Sequence, residues 1–156
     1  MLTIDIPGCA PLTMEHLVLD FNGTLALDGV LLDGVAALLH PLAQHLRIHV
    51  VTGDTFGQAR AQLLGLPCEL TVLPAADQER AKHDYVRRLG SHSVACIGNG
   101  RNDRMMLEAA ALGIAVIQAE GAYAQTIAAA DIVVRDVRDA LALLLNPLRL
   151  AATLRA

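Results

Sequence analysis

The sequence predicts an α/β fold: a three-layer, Rossmann-like arrangement around a mainly parallel sheet. Three observations predict it. Short apolar runs suited to buried strands alternate with segments whose apolar residues recur at helical spacing. Three of those runs end in glycine-containing polar turns, and such sheets gather ligands at the carboxyl ends of their strands. The chain has 156 residues, 54% of them hydrophobic and 18% charged, enough to bury one sizeable core. A single domain over residues 1–156 is expected.

Each element follows from its residues. Leu2–Ile6 alternates apolar and polar side chains and reads as a short strand, broken by Pro7-Gly8. Glu15–Phe21 is a compact buried strand. Asp33–Leu46 has helical apolar spacing, with Asp33 in position to cap it. Arg47–Val51 is the second buried strand, Thr55–Leu64 a helix ended by Gly65, and Glu69–Leu73 a third strand rich in β-branched residues. Asp77–Leu89 is helical and closes on Gly90; Ser93–Ile97 is the fourth strand and Asn102–Ala111 the next helix. Gly113–Ile117 makes a fifth strand, Ala122–Ala129 a helix, Asp131–Val134 a sixth strand, and Asp136–Leu145 a helix stopped by Pro147. The tail to Ala156 has room for one more short helix.

Composition excludes several functions. Mean hydropathy is +0.44. Yet the longest apolar stretch, around Ala109–Ile117, is only about half a spanning helix, so no membrane segment is expected. Asp5 and Pro7 interrupt the N-terminus, which lacks the pattern of a signal peptide, and a cytoplasmic location is expected. A net charge of −4, 3% aromatics and no basic run argue against nucleic acid. Cys9, Cys68 and Cys96 have no metal-like spacing and read as reduced thiols, buried or partly buried. The six histidines show no paired spacing for zinc.

Chemistry concentrates at three strand ends: Asp20-Phe21-Asn22-Gly23-Thr24, Thr52-Gly53-Asp54-Thr55, and Gly98-Asn99-Gly100-Arg101-Asn102-Asp103. Their glycines permit close backbone approach to a ligand, and the helices that follow aim N–H groups at the same rim. Asp20 has the setting of a nucleophile. Of the 12 Lys+Arg residues, Lys82 is the one lysine, early in a helix that can point back at this rim. A compact ammonium balances a carboxylate and a phosphoryl group where a planar guanidinium would not fit. Asp54 and Thr55 read as helix caps, Asp28 as a solvated turn residue, His83 as a position on the surface or just behind the site, and Arg101 as a flanking cation within reach of a substrate anion.

Taken in order, Asp20 with Thr24, then Thr52, then Lys82, then the Gly98–Asp103 loop resemble the haloacid dehalogenase (HAD) superfamily of phosphotransferases. Asp-x-x-Gly-Thr, Thr-Gly-Asp and Gly-x-Gly-x-Asn-Asp, with Gly113-Ile-Ala-Val and Ala130-Asp-Ile-Val-Val, are similar to the phosphorylation domain of P-type cation-transporting ATPases. The likeness spans Glu15 to about Leu145. It implies an aspartyl-phosphate on Asp20, with Thr52 and Lys82 as its catalytic partners. It also implies Mg²⁺ held by Asp20, the main-chain carbonyl of Asn22, Asn99 and Asp103, and substrate contacts at Asn22, Gly23, Thr24, Gly53 and Asn102. No cap domain fits: Leu25–Asp33 allows only a short hairpin, and one helix, one strand and a connection fill Thr52 to Lys82.

Two departures modify the expectation. Asn22 stands where the phosphatases of the superfamily carry an acid/base aspartate, and it cannot shuttle a proton. Asn99 stands where the metal-binding aspartate is usual, and an amide brings no charge. The reading is a slow Mg²⁺-dependent phosphohydrolase acting on a phosphorylated small molecule or phosphoprotein. Its open site would suit coverage by a second copy in a homo-oligomer. The alternatives are a non-catalytic phosphate- or partner-binding module and a sensor that stays phosphorylated at Asp20.

Overall fold

The computed structural model describes residues 1–156. A six-stranded, all-parallel sheet forms its centre. The strands are β3 (His16–Leu19), β6 (Arg47–Thr52), β7 (Glu69–Val72), β8 (Val94–Gly98), β9 (Leu112–Val116) and β10 (Ile132–Val134), in the spatial order β10-β9-β8-β3-β6-β7. The chain winds outward from β3 through β6 to β7, then crosses back to β8 and winds the other way. That is the doubly wound order, and its switch point lies between β3 and β8. Two small antiparallel pairs stand apart from this sheet: β1 (Leu2–Ile4) with β2 (Leu12–Met14), and the hairpin of β4 (Ala26–Leu27) and β5 (Val30–Leu31).

Alternation along the buried strands supplies two cores. Leu17, Leu19, Ile48, Val50, Ala95 and Ile97 face one side, where α1 (Val35–Leu42), α6 (Val137–Leu145) and α7 (Pro147–Leu154) pack. Val18, Val51, Val94 and Cys96 face the other, against Val86 of α3 (Gln78–Leu89) and Met106 and Leu107 of α4 (Arg104–Ala109). Strands buried on both faces read as unbroken apolar runs, which is why these segments carry no polar alternation. The two remaining helices, α2 (Ala59–Gln62) and α5 (Ala124–Ala129), are single turns or little more.

The sequence places the elements of the main sheet in order, and the differences have local causes. The strand expected over Leu2–Ile6 stops at Ile4 and belongs to its own hairpin, because Leu12–Met14, left unassigned by the sequence, pairs with it in register. The helix expected over Thr55–Leu64 is cut to Ala59–Gln62. Asp54 takes a left-handed conformation (φ 47°) and so does Gly57, while Asp54 Oδ1 accepts from the N–H groups of Gln58 and Ala59 at 3.0 Å. Asp54 therefore caps a helix that begins later. Asp33 does not cap α1; Gly34, at φ 84°, occupies that position. The helix expected at Asn102 opens as a 3-10 turn over Arg101–Asp103 before α4 begins. Pro147 both ends α6 and starts α7. Among the thiols, Cys96 is buried and Cys68 partly so, but Cys9 is exposed.

No helix is long and apolar enough to cross a membrane. After the Asp20–Thr24 loop, where a cap could be inserted, the chain has only the β4–β5 hairpin. The hairpin is tied to α2 by the Leu31 N–H donating to Gln62 Oε1 (2.9 Å).

Candidate active site

Asp20 follows β3 immediately, and its own N–H still donates to the Ile97 carbonyl (3.0 Å), extending the β3–β8 ladder by one bond. Its carboxylate therefore emerges at the switch point, on a residue only 5% exposed. Lys82 reaches it from the first half of α3. The ammonium, fully buried, donates to Asp20 Oδ1 at 2.5 Å and to Asp103 Oδ1 at 2.6 Å. Asp103 Oδ2 in turn accepts the main-chain N–H groups of Asn99 (3.0 Å) and Gly100 (2.9 Å). Every oxygen of Asp103 is thus occupied. Gly98 makes this approach feasible, since a Cβ there would lie 2.5 Å from the Asp103 carboxyl carbon.

The electrostatics follow from burial. Desolvation, and then the nearby Asp103 carboxylate, push the Asp20 pKa up to about 6 against the pull of Lys82. Burial alone would lower the Lys82 pKa. The carboxylates of Asp103 and Asp20 outweigh that and raise it, so Lys82 is held as a cation. Two anions around one cation leave the cluster with a net negative charge behind the cavity.

The cavity, about 190 Å³, is lined by Asp20, Asn22, Thr52, Gly53, Asn99, Gly100 and Asn102, together with Thr55, Gln78 and Glu120. Of the residues singled out from the sequence, Asp20, Asn22, Thr52, Gly53, Asn99 and Asn102 meet here. Gly23 stands beside it, in a left-handed conformation (φ 81°) with its carbonyl held by Gln118. Two other expected contact residues lie elsewhere. Thr24 is fully buried and spends its hydroxyl on Asn99 Oδ1 (3.2 Å), so it ties two loops together rather than facing the cavity. Asp103 is also fully buried, and its oxygens are saturated by Lys82 and main-chain donors, so it supports the loop from behind rather than offering a free ligand. Arg101 turns away, with its guanidinium 5.9 Å from the Tyr123 ring centroid.

Three site residues were not singled out from the sequence. Gln78, at the first turn of α3, accepts from Asn102 Nδ2 (3.1 Å) and packs over Gly53. Gln118 donates to the carbonyls of Gly23 (3.0 Å) and Thr24 (2.9 Å) while its Oε1 accepts from Val137 N–H (2.7 Å), joining the nucleophile loop to the start of α6. Glu120 brings a second carboxylate to the rim. Gln118 and Glu120 sit just past β9, so applying the strand-end rule to a fourth strand would have found both.

The resemblance implies a divalent cation, and the donor set here fits one. No three acidic, histidine or cysteine side chains converge. The cavity instead offers the Asp20 carboxylate, the amide of Asn99 and the main-chain carbonyl of Asn22, which accepts no hydrogen bond from the chain. Both polar atoms of the Asn22 side chain are buried without a partner. Oxygen donors with unmet hydrogen-bonding capacity suit a hard ion such as Mg²⁺ with its waters.

Comparison with known proteins bears on the fold. No family model matches the chain. An uncharacterized protein of Methanocaldococcus jannaschii is 56% identical over 62 residues, 40% of this chain and 67% of that one, and the chain belongs to its family. Among solved structures, 3-deoxy-D-manno-octulosonate 8-phosphate phosphatase from Moraxella catarrhalis, in complex with a magnesium ion, a phosphate ion and a KDO molecule, matches with a TM-score of 0.71. It is 20% identical, with 86% of this chain and 87% of that one covered. The cobalt-bound deoxy-D-mannose-octulosonate 8-phosphate phosphatase from Haemophilus influenzae gives 0.72 at 18% identity, covering 92% and 94%. A zinc-transporting PIB-type ATPase gives 0.63 at 25% identity over 78% of this chain and 20% of that one. The chain has the capless HAD fold, shared with these phosphatases and with the P-type ATPase phosphorylation domain.

Proposed function

We propose that the chain is a slow, Mg²⁺-dependent phosphohydrolase that works through an aspartyl-phosphate at Asp20. The observation that carries this reading is the Asp20–Lys82–Asp103 relay at the switch point. A binding module needs no nucleophilic carboxylate held by a fully buried lysine at the mouth of a polar cavity. Mg²⁺, when bound, neutralises charge between the Asp20 carboxylate and an incoming phosphate.

The chain's own residues do the rest. An Asp20 oxygen attacks phosphorus, the P–O bond to the leaving group breaks, and the phosphoryl group is left on the carboxylate. Lys82 stays charged throughout and offsets the anionic pair. The Thr52 hydroxyl accepts from Asp54 N–H (3.0 Å), which leaves its own proton free for a phosphoryl oxygen. Asn102 and Gly53 complete a polar wall, with Gln78 holding the Asn102 amide. These are positioning and charge-stabilising roles, the main terms in phosphoryl transfer. The second half-reaction needs a water deprotonated near phosphorus. Asn22 can donate its N–H groups to the phosphoryl oxygens but cannot take that proton, and a missing general base costs about 10²–10⁴ in rate. The same observation favours a second reading, a phospho-enzyme that persists.

An adjoining cavity of about 270 Å³ shares Glu120 with the first and is lined also by Gly23, Leu27, Leu32, Arg135, Asp136 and Arg138. It would take the leaving group of a small phosphomonoester; Arg138 is paired with Asp136 there, which leaves Arg135 as the cation to meet it.

Hydrolysis of an aryl phosphate with Mg²⁺ tests the reading, beside Asp20→Asn and a chelator. Turnover that disappears in both controls is expected. If none exceeds the Asp20→Asn background, acid-quenched mass spectrometry after acetyl phosphate decides between the two readings. A phosphorylated Asp20 means a stalled phospho-enzyme; an unmodified chain means no phosphoryl chemistry at all.

A further inference from the structure

We propose that Glu120 supplies the second carboxylate of the divalent-cation site, replacing the charge that Asn99 lacks. The proposal rests on the preceding reading only in placing the cation beside Asp20.

The Asn99 amide does not hang free. Its Oδ1 accepts from Thr24, and its Nδ2 donates to the carbonyl of Gly121 (3.0 Å), the residue after Glu120. That bond draws the tight turn Gln118–Gly121, closed by Gly121 N–H on the Gln118 carbonyl (2.8 Å), over the mouth of the cavity. The asparagine therefore binds the very turn that carries an acid. Glu120 Oε2 and the Asn99 amide pack together against Gly23: a Cβ there would lie 2.5 Å from Asn99 Nδ2, 2.7 Å from Asn99 Oδ1 and nearer still to Glu120 Oε2. Only a glycine allows this close cradle of acid and amide, and Gly23 is held at φ 81°.

Charge gives the cradle its ligand. Asp20 and Glu120 both line the cavity, and no cationic side chain does, since Lys82 is buried behind Asp20. Glu120 is an exposed residue that nonetheless lines the same cavity as Asp20. A phosphate dianion entering this space would meet two carboxylates. One divalent cation between them removes the repulsion and turns it into attraction. The Asn22 side chain, orphaned in the same cavity, marks the place where polar partners from a hydrated ion or phosphate are missing.

The test is metal affinity, measured by calorimetry with Mg²⁺ and by electron paramagnetic resonance with Mn²⁺, on the full chain. Wild type binds one ion, and Glu120→Gln weakens it by about tenfold or more, the scale on which metal sites respond even to outer partners. Asn99→Asp added to Glu120→Gln restores affinity, because the acid is returned to the loop. Asp28→Asn, which removes a nearby carboxylate outside the cavity, leaves affinity within about twofold. The proposal is overturned if wild type binds no ion, if Glu120→Gln binds as wild type does, or if Asp28→Asn loses as much. Binding through Glu120 without any aryl phosphate turnover would keep this site and discard the hydrolase reading. Turnover with an unaltered Glu120→Gln affinity would do the reverse.

Discussion

The two halves of the candidate site are built differently. Behind the cavity, Lys82, Asp20, Asp103 and the N–H groups of Asn99 and Gly100 form a closed set in which both Asp103 oxygens have partners and Lys82 and Asp103 are sealed from solvent. In front, the Asn22 amide is buried with no partner, its main-chain carbonyl is free, and Glu120 lines the same cavity as Asp20. Buried polar groups are normally satisfied, and leaving them bare costs free energy. The closed half is finished by the chain itself. The open half keeps hydrogen-bonding capacity that the chain does not use.

Three changes would break or sharpen that contrast. The largest effect is expected from Lys82→Met. It leaves two carboxylates buried without their cation and should cost about 3–5 kcal/mol of stability, read as a lower urea midpoint, along with all turnover. A stable Lys82→Met protein would mean the closed half does not hold itself together. Next is Asn22→Asp, confined to the open half. It restores a proton acceptor and should raise the rate of dephosphorylation by about 10² or more. Unchanged turnover would remove Asn22 from the explanation of slowness.

The smallest effect is expected at Asp136. Its side chain caps α6 by accepting Arg138 N–H (2.8 Å), and α6 in turn holds Gln118 and the nucleophile loop. Asp136→Ala should cost about 1 kcal/mol at pH 7. The hydrogen bond from the Arg138 side chain holds the Asp136 carboxyl below its ordinary value of 3.8. Its contribution is therefore present above that unfolded pKa and lost as pH falls through the lower folded one. Urea midpoints of wild type and variant should differ at pH 7 and converge as pH falls through the lowered Asp136 pKa. A gap that persists in acid would mean the carboxylate's charge is not what caps α6.

How much of this was legible in the sequence differs between the halves in the same way. Asp20 ends an apolar run, and Lys82 is the lone lysine, so both stand out without coordinates. The strand ends around Thr52 and Asn99 are readable because glycine and small polar residues cluster there. Glu120 and Gln118 were not, because an acid or amide in a polar turn looks like any other until the sheet order puts β9 beside β8. Asp103 and Thr24 show the opposite failure: their motif positions suggest a face on the cavity, and only packing reveals that their atoms are consumed behind it. In the fold, the shortened α2 turns on the left-handed backbone of Asp54, a conformation that residue identity permits but does not announce.

The central place of β3 has a consequence for motion. Strands flank it on both sides and a helical layer covers each face, so the amide protons of Val18 and Leu19 and that of Asp20, bonded to Ile97, have no local route to exchange with solvent. Such protons exchange through global opening of the domain, while the edge strands β7 and β10 fray at lower free energy. Asp20 therefore cannot drift out of place in a partly opened molecule. Its registration is lost only when the whole sheet is lost.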